Sequence, residues 1–162
     1  MKKAKKIVLI AIPVLLIASV VFSGERTNPE IERTVAWDSP ETKALFDRAC
    51  ADCHSHETRW PWYSYVAPVS WQIIHDVEEA REHFNVSGKE LGDADEAAEE
   101  LEKGAMPLSK YVSLHSEADL SDSEKAALIA GLKKTFGEEE HDEDEEDHDE
   151  DGDEHDEEEE EH

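Results

Sequence analysis

An all-α fold is the class this sequence predicts, on three observations. Apolar residues recur at three- and four-residue intervals over residues 70–84 and 121–136, the spacing that lines one face of a helix. Helix-start chemistry occurs twice, at Ser39-Pro40-Glu41 and at Ser121-Asp122-Ser123-Glu124. No alternating apolar and polar run marks a strand, and no G-x-G-x-x-G loop is present.

Charge divides the chain into three parts. The 162 residues carry 43 acids and 16 bases, a formal net charge of −27. Residues 1–24 contain four lysines and no acid, and residues 138–162 contain 20 acids and no base. The middle part, 25–137, is mildly acidic and of one-domain size, enough for a single modest core. This balance argues against nucleic acid as a partner, because phosphate binding needs clustered Lys and Arg. It suits a basic protein surface or cations instead.

The first element is a targeting segment. Lys2, Lys3, Lys5 and Lys6 precede an uncharged run from Ile7 to Phe22. A basic flank before an apolar run keeps the start of the chain inside and sends the rest across the membrane. As a membrane anchor the run is slightly short, about 24 Å against a hydrocarbon core of about 30 Å. As a signal peptide it is slightly long, with Val21-Phe22-Ser23 as an imperfect cleavage site. A single-pass anchor in the cytoplasmic membrane is expected, with a cleaved periplasmic form as the alternative. Either way, residues 25–137 are expected in the periplasm.

The next helix should start with Ser39 as N-cap and Pro40 at the first helical position. It would run through Leu45, Phe46 and Ala49 into Cys50-Ala51-Asp52-Cys53-His54. Those are the chain's two cysteines. In an exported protein C-x-x-C-H reads as a c-type haem attachment site. Two thiols add across the two vinyl groups, and the adjoining histidine falls beneath the iron as proximal ligand. A thioredoxin-type dithiol would belong after a strand, and a zinc site would need further closely spaced ligands. Neither context is visible.

A six-coordinate haem iron needs a second ligand. Besides Met1 the chain has one methionine, Met106, in the loop Gly104-Ala105-Met106-Pro107-Leu108. A loop between Gly and Pro is a poor place for core filler, and a thioether raises the potential relative to a second histidine. Met106 is the expected distal ligand; His75, His115 or an open position are the alternatives. His56 is too near His54 to cross the ring, and His83 lies near a helix end.

Five aromatic residues fall between Trp60 and Trp71, and either wall the porphyrin or simply build the core. Arg59 is either a solvated side chain or a partner for a haem propionate. Residues 70–84 should form a helix with Trp71, Ile74, Val77, Ala80 and Phe84 inward, and residues 93–103 a short surface helix. A capping box at Ser121 opens the last helix, with Leu128, Ile129 and Leu132 buried and Gly137 at its end.

The run from Cys50 through Trp60-Pro61-Trp62-Tyr63-Ser64-Tyr65 to Trp71 resembles the haem-binding-domain family of small exported bacterial proteins. The likeness continues at His75-Asp76-Val77, Arg81-Glu82-His83 and Asn85. It resumes at Met106-Pro107, Tyr111, Leu114-His115, Leu120-Ser121 and residues 127–136. Members resemble cytochrome c and carry one N-terminal hydrophobic segment, followed as here by Arg26-Thr27-Asn28-Pro29. The resemblance implies haem binding and names no redox partner. The chain departs at Leu108, where members often have a second proline, and over residues 87–103.

Beyond Gly137, His141, His148, His155 and His162 recur every seven residues among acids. Twenty like charges with nothing apolar oppose ordering, so disorder is expected. Weak divalent-metal capture or docking of a basic partner are the alternatives. Altogether the sequence predicts a membrane-anchored carrier with one covalent haem c, bound by Cys50, Cys53, His54 and Met106, exchanging single electrons with an unidentified redox protein. A haem-based sensor with a displaceable sixth ligand, or a metal-binding module in the tail, are the competing functions. No acid–base constellation suggests an enzyme.

Overall fold

The computed structural model describes residues 2–21 and 24–137; the acidic tail, 138–162, and its histidine repeat lie outside them. The described residues are helical, with one isolated bridge pairing Phe84 and Gly92 and no strand. Seven α-helices follow in order: α1 (Lys2–Val21), α2 (Pro40–Ala49), α3 (Ala51–His54), α4 (Val69–His83), α5 (Ala97–Glu102), α6 (Ser109–Val112) and α7 (Asp122–Phe136). Short 3₁₀ turns occupy Trp62–Tyr65 and Ser116–Ala118.

α1 covers the expected targeting run as far as Val21, but no helix among the described residues is long and apolar enough to cross a membrane. The lysines take its opening turns. The uncharged part, 7–21, is then only about 22 Å long against about 30 Å of hydrocarbon.

Local capping chemistry explains where α2 and α7 start. Ser39 Oγ accepts from Thr42 N at 3.1 Å, with Pro40 opening α2. Ser121 and Glu124 form the full capping box of α7. These two helices cross closely at Gly131, where any Cβ would collide with the Thr42 side chain. α5 is shorter than expected. Asp93–Glu96 form turns instead, because Asp93 N donates to His83 O at 2.7 Å and Glu96 N to Asp93 O at 3.2 Å.

The core joins Leu45 and Phe46 of α2 to Phe84, Ala94, Ala98, Leu101, Leu128 and Leu132. Trp37, Phe46, Phe84 and Phe136 pack ring against ring, with centroids 4.8–5.9 Å apart. The aromatics that build the core are therefore scattered along the chain. The clustered ones do not: Trp62 is 78% exposed and Trp71 55%. Trp71 thus departs from the inward stripe expected over residues 70–84, of which Ile74, Val77 and Phe84 are buried.

Residues 24–37 have no helix, yet they are fixed across the C-x-x-C-H region. Arg81 donates to Thr27 O, Asn28 Oδ1, Ser55 O and Thr58 Oγ1, while Asn28 Nδ2 donates to Thr58 O at 2.9 Å. This multiple donation is the fork geometry that suits arginine to tying separate backbone segments together.

Candidate haem site

α2 does not run unbroken into the motif. It ends at Ala49, Cys50 turns the chain (φ −126°), and α3 carries the remainder as one separate turn. The break lets α3 face a cavity of about 520 Å³, within the size range of small-ligand sites. Cys50, Cys53, His54 and Met106 all line it. Its apolar walls come from Phe46, Ala49, Ala80, Phe84, Leu101 and Leu132.

Both cysteines are free thiols. Burial, with Cys53 beside it, pushes the Cys50 thiol up to about 12. Burial, with Asp52 and Asp76 adding, pushes Cys53 to about 11. A redox dithiol relies on a lowered thiol pKa, so this environment does not suit thioredoxin-type exchange. Nor does any group of three or more His, Cys, Asp or Glu among the described residues stand ready for a bare metal ion.

His54 is oriented through its own ring. Nδ1 lies 2.9 Å from Phe84 O, and a carbonyl can only accept, so Nδ1 carries the proton. Nε2 is then the lone-pair nitrogen. Burial holds the imidazole below its ordinary range, outweighing the carbonyls of Phe84 and Ala80, so the neutral form is favoured. A neutral imidazole whose second nitrogen is tied to a carbonyl is the form that binds metals.

Met106 is carried on a loop fixed at its start. Gly104 takes φ +72° after α5, and Ala105 N and Met106 N both donate to Glu100 O, at 3.0 and 3.2 Å. The fit to haem is that of the donor set: two thiols, a pre-oriented neutral imidazole and a thioether share one apolar cavity.

The other histidines fall elsewhere. His75 is exposed beside Glu79. His115 faces a neighbouring groove, where Nδ1 donates to Tyr111 O at 3.1 Å and Nε2 accepts from Tyr63 Oη at 3.0 Å. His56 is buried, donating from Nδ1 to Glu30 O and accepting at Nε2 from Asn85 Nδ2. His83 does reach the cavity rim, next to Asp93.

Two further groups of side chains fall outside the cavity. None of the five aromatics from Trp60 to Trp71 lines the cavity: Tyr63 lines the neighbouring groove, Trp62, Tyr65 and Trp71 are exposed, and Trp60 Nε1 donates to Asn28 Oδ1 at 3.2 Å. Arg59 is committed to Asp52 rather than directed at the cavity. Its Nε and Nη2 donate to the two carboxylate oxygens at 3.0 and 3.1 Å, and its backbone N donates at 3.1 Å. Tyr111 Oη adds a fourth bond to that carboxylate at 2.7 Å. Burial would raise the pKa of Asp52, but the hydrogen bonds from Arg59 and Tyr111 outweigh it and hold the carboxyl below its ordinary range. The family likeness includes Tyr111, but nothing local in the sequence pairs it with Asp52; the one signal is an acid inside the motif.

Comparison with known proteins points to haem as the group bound. The sequence matches the family described as a haem-binding domain over residues 14–134. No curated protein and no solved structure matches it.

Proposed function

This chain belongs to the haem-binding domain family, and on that premise we propose that it is a c-type cytochrome, an electron carrier rather than an enzyme. Cys50 and Cys53 would hold one haem c through thioether bonds, and His54 and Met106 would supply its iron ligands. The observation that carries this reading is the meeting of those four side chains in one apolar cavity.

When bound, haem supplies a ferrous/ferric couple that exchanges one electron at a time. The chain's own part is to orient and exclude. Phe84 O fixes the His54 ring, and Phe46, Phe84, Leu101 and Leu132 keep water from the cavity. Asp76, Glu79, Asp93, Glu96 and Glu100 stand at its margin with Lys110, which favours a redox partner with a basic face. The lysine-flanked N-terminal segment directs the domain across the cytoplasmic membrane to its periplasmic side.

The test is the intact mass and visible spectrum of protein made with the cytochrome c maturation machinery. One haem that survives denaturation is expected, and none in the Cys50→Ala/Cys53→Ala variant. Wild-type protein without attached haem would overturn the reading.

One observation favours a second reading, a sensor with a displaceable sixth ligand. Met106 and Pro107 also line a cleft of about 440 Å³ formed with Val112 and Leu120, which leaves room behind the loop. Carbon monoxide separates the two. An unchanged ferrous spectrum supports electron transfer; rapid binding supports the sensor.

A further inference from the structure

Asp52 poses a question that haem attachment does not answer. Thioether formation uses Cys50 and Cys53, and iron ligation uses His54. Yet one of the two residues between the cysteines is a buried carboxylate, which is costly to bury without several donors. Three of its hydrogen bonds come from Arg59, seven residues away, and the fourth from Tyr111 on α6.

α6 directly follows the Met106 loop. Tyr111 N and Val112 N both donate to Leu108 O, at 2.9 and 3.1 Å, so residues 108–112 turn as one unit attached to Met106-Pro107. On the near side the loop hangs from Glu100 O. On the far side α6 has two side-chain ties. Lys110 pairs with Asp76 of α4, and Tyr111 reaches the haem motif itself. The Tyr111 ring is held behind by His115, stacked at 4.1 Å and 21°, which in turn accepts from Tyr63. Tyr111 lines both the cavity and the groove beside it.

We propose that Tyr111 is a positioning residue for the distal ligand: its hydrogen bond to Asp52 ties the Met106 loop to the segment that carries the thiols and His54. This rests on the reading of Met106 as ligand. A carboxylate between the two cysteines then serves as the acceptor that fixes the loop carrying Met106 relative to the segment carrying His54. Tyr→Phe keeps the ring and its stacking while removing that bond.

The experiment uses the full haem-loaded protein and three readouts: the ferric methionine-to-iron charge-transfer band, the affinity of ferric protein for added imidazole, and the thermal midpoint. Tyr111→Phe should retain covalent haem, weaken the band and raise imidazole affinity about tenfold, the equivalent of one charge-assisted hydrogen bond. Ser55→Ala is the matched control. It deletes two hydrogen bonds beside the motif, Oγ to Ala51 O at 2.7 Å and Glu57 N to Oγ at 3.0 Å, neither of which reaches the Met106 loop. It should lower the midpoint and leave imidazole affinity unchanged. Should Tyr111→Phe fail to load haem, Asp52→Asn, which offers a weaker neutral acceptor, takes its place with a smaller shift in the same direction.

A lowered midpoint with unchanged band and imidazole affinity would make the bond purely structural and overturn the proposal. Equal effects in Ser55→Ala would do the same. Met106→Ala, measured alongside, separates the two claims. If it keeps the wild-type ferric spectrum, Met106 is not the ligand, and both the ligand assignment and the positioning role fall.

Discussion

His54 and His56 stand two residues apart, and the two sides of the motif they represent follow opposite rules. Both rings donate from Nδ1 to a backbone carbonyl, Phe84 O and Glu30 O respectively. They differ at Nε2. That of His56 accepts from Asn85 Nδ2 at 2.9 Å, whereas His54 lines the cavity with its lone pair on that atom. The contrast extends to the neighbours. Asp52, Ser55 and His56 are buried with their polar atoms matched by protein partners, while Cys50 and Cys53 present undisulfided thiols to the cavity. Buried polar groups are normally matched because leaving them unmade is expensive. A local concentration of unspent bonding capacity on one side, beside full satisfaction on the other, marks where a ligand belongs more sharply than hydropathy does.

The largest expected break in that contrast is at the histidines. His54→Ala should abolish the low-spin ferric spectrum while leaving covalent haem, read by visible absorption after denaturation. His56→Ala should leave the spectrum intact and cost about 1–3 kcal/mol in chemical denaturation, since Asn85 and Glu30 O lose their shared partner. Equivalent spectra in the two variants would erase the distinction.

The thiols come next. With Cys50 at about 12 and Cys53 at about 11, little thiolate exists near neutrality in the haem-free fold. Alkylation by iodoacetamide at pH 8 should be on the order of 100-fold slower in the folded chain than in denaturant, where thiols return to about 8.5. Mass spectrometry over time measures it.

The smallest effect concerns Asp52. Its folded pKa lies below the unfolded value, so its stabilisation is fully present above about pH 4 and is lost as pH falls through the folded pKa. Denaturation midpoints of wild type and Asp52→Asn should therefore differ most at neutral pH and converge in acid. A gap that stays constant down to pH 2 would show that the carboxylate's charge contributes nothing.

What the sequence made legible was local. Ser39 with Pro40, and Ser121 with Glu124, announce helix starts because capping is settled within four residues. The C-x-x-C-H motif and the single internal methionine likewise needed no tertiary knowledge. The illegible parts depend on distant partners. Tyr111 meets Asp52 across 59 positions, and Arg59 turned to that carboxylate instead of the cavity. The aromatic run misled for a related reason, since ring size gives burial potential but not direction. Trp62 sits on a turn that points it outward, while the isolated Trp37 completes the core.

Phe46, Phe84, Leu101 and Leu132 belong at once to the hydrophobic core and to the cavity wall. Whatever fills that cavity is therefore a component of the folding equilibrium. A dissociable ligand would stabilise the fold only in proportion to the logarithm of its free concentration. One fastened through Cys50 and Cys53 cannot be diluted away, so dialysis or low cofactor supply after maturation would leave its stability untouched. In such a molecule attachment replaces mass action, and a small domain keeps the missing part of its core for as long as the chain lasts.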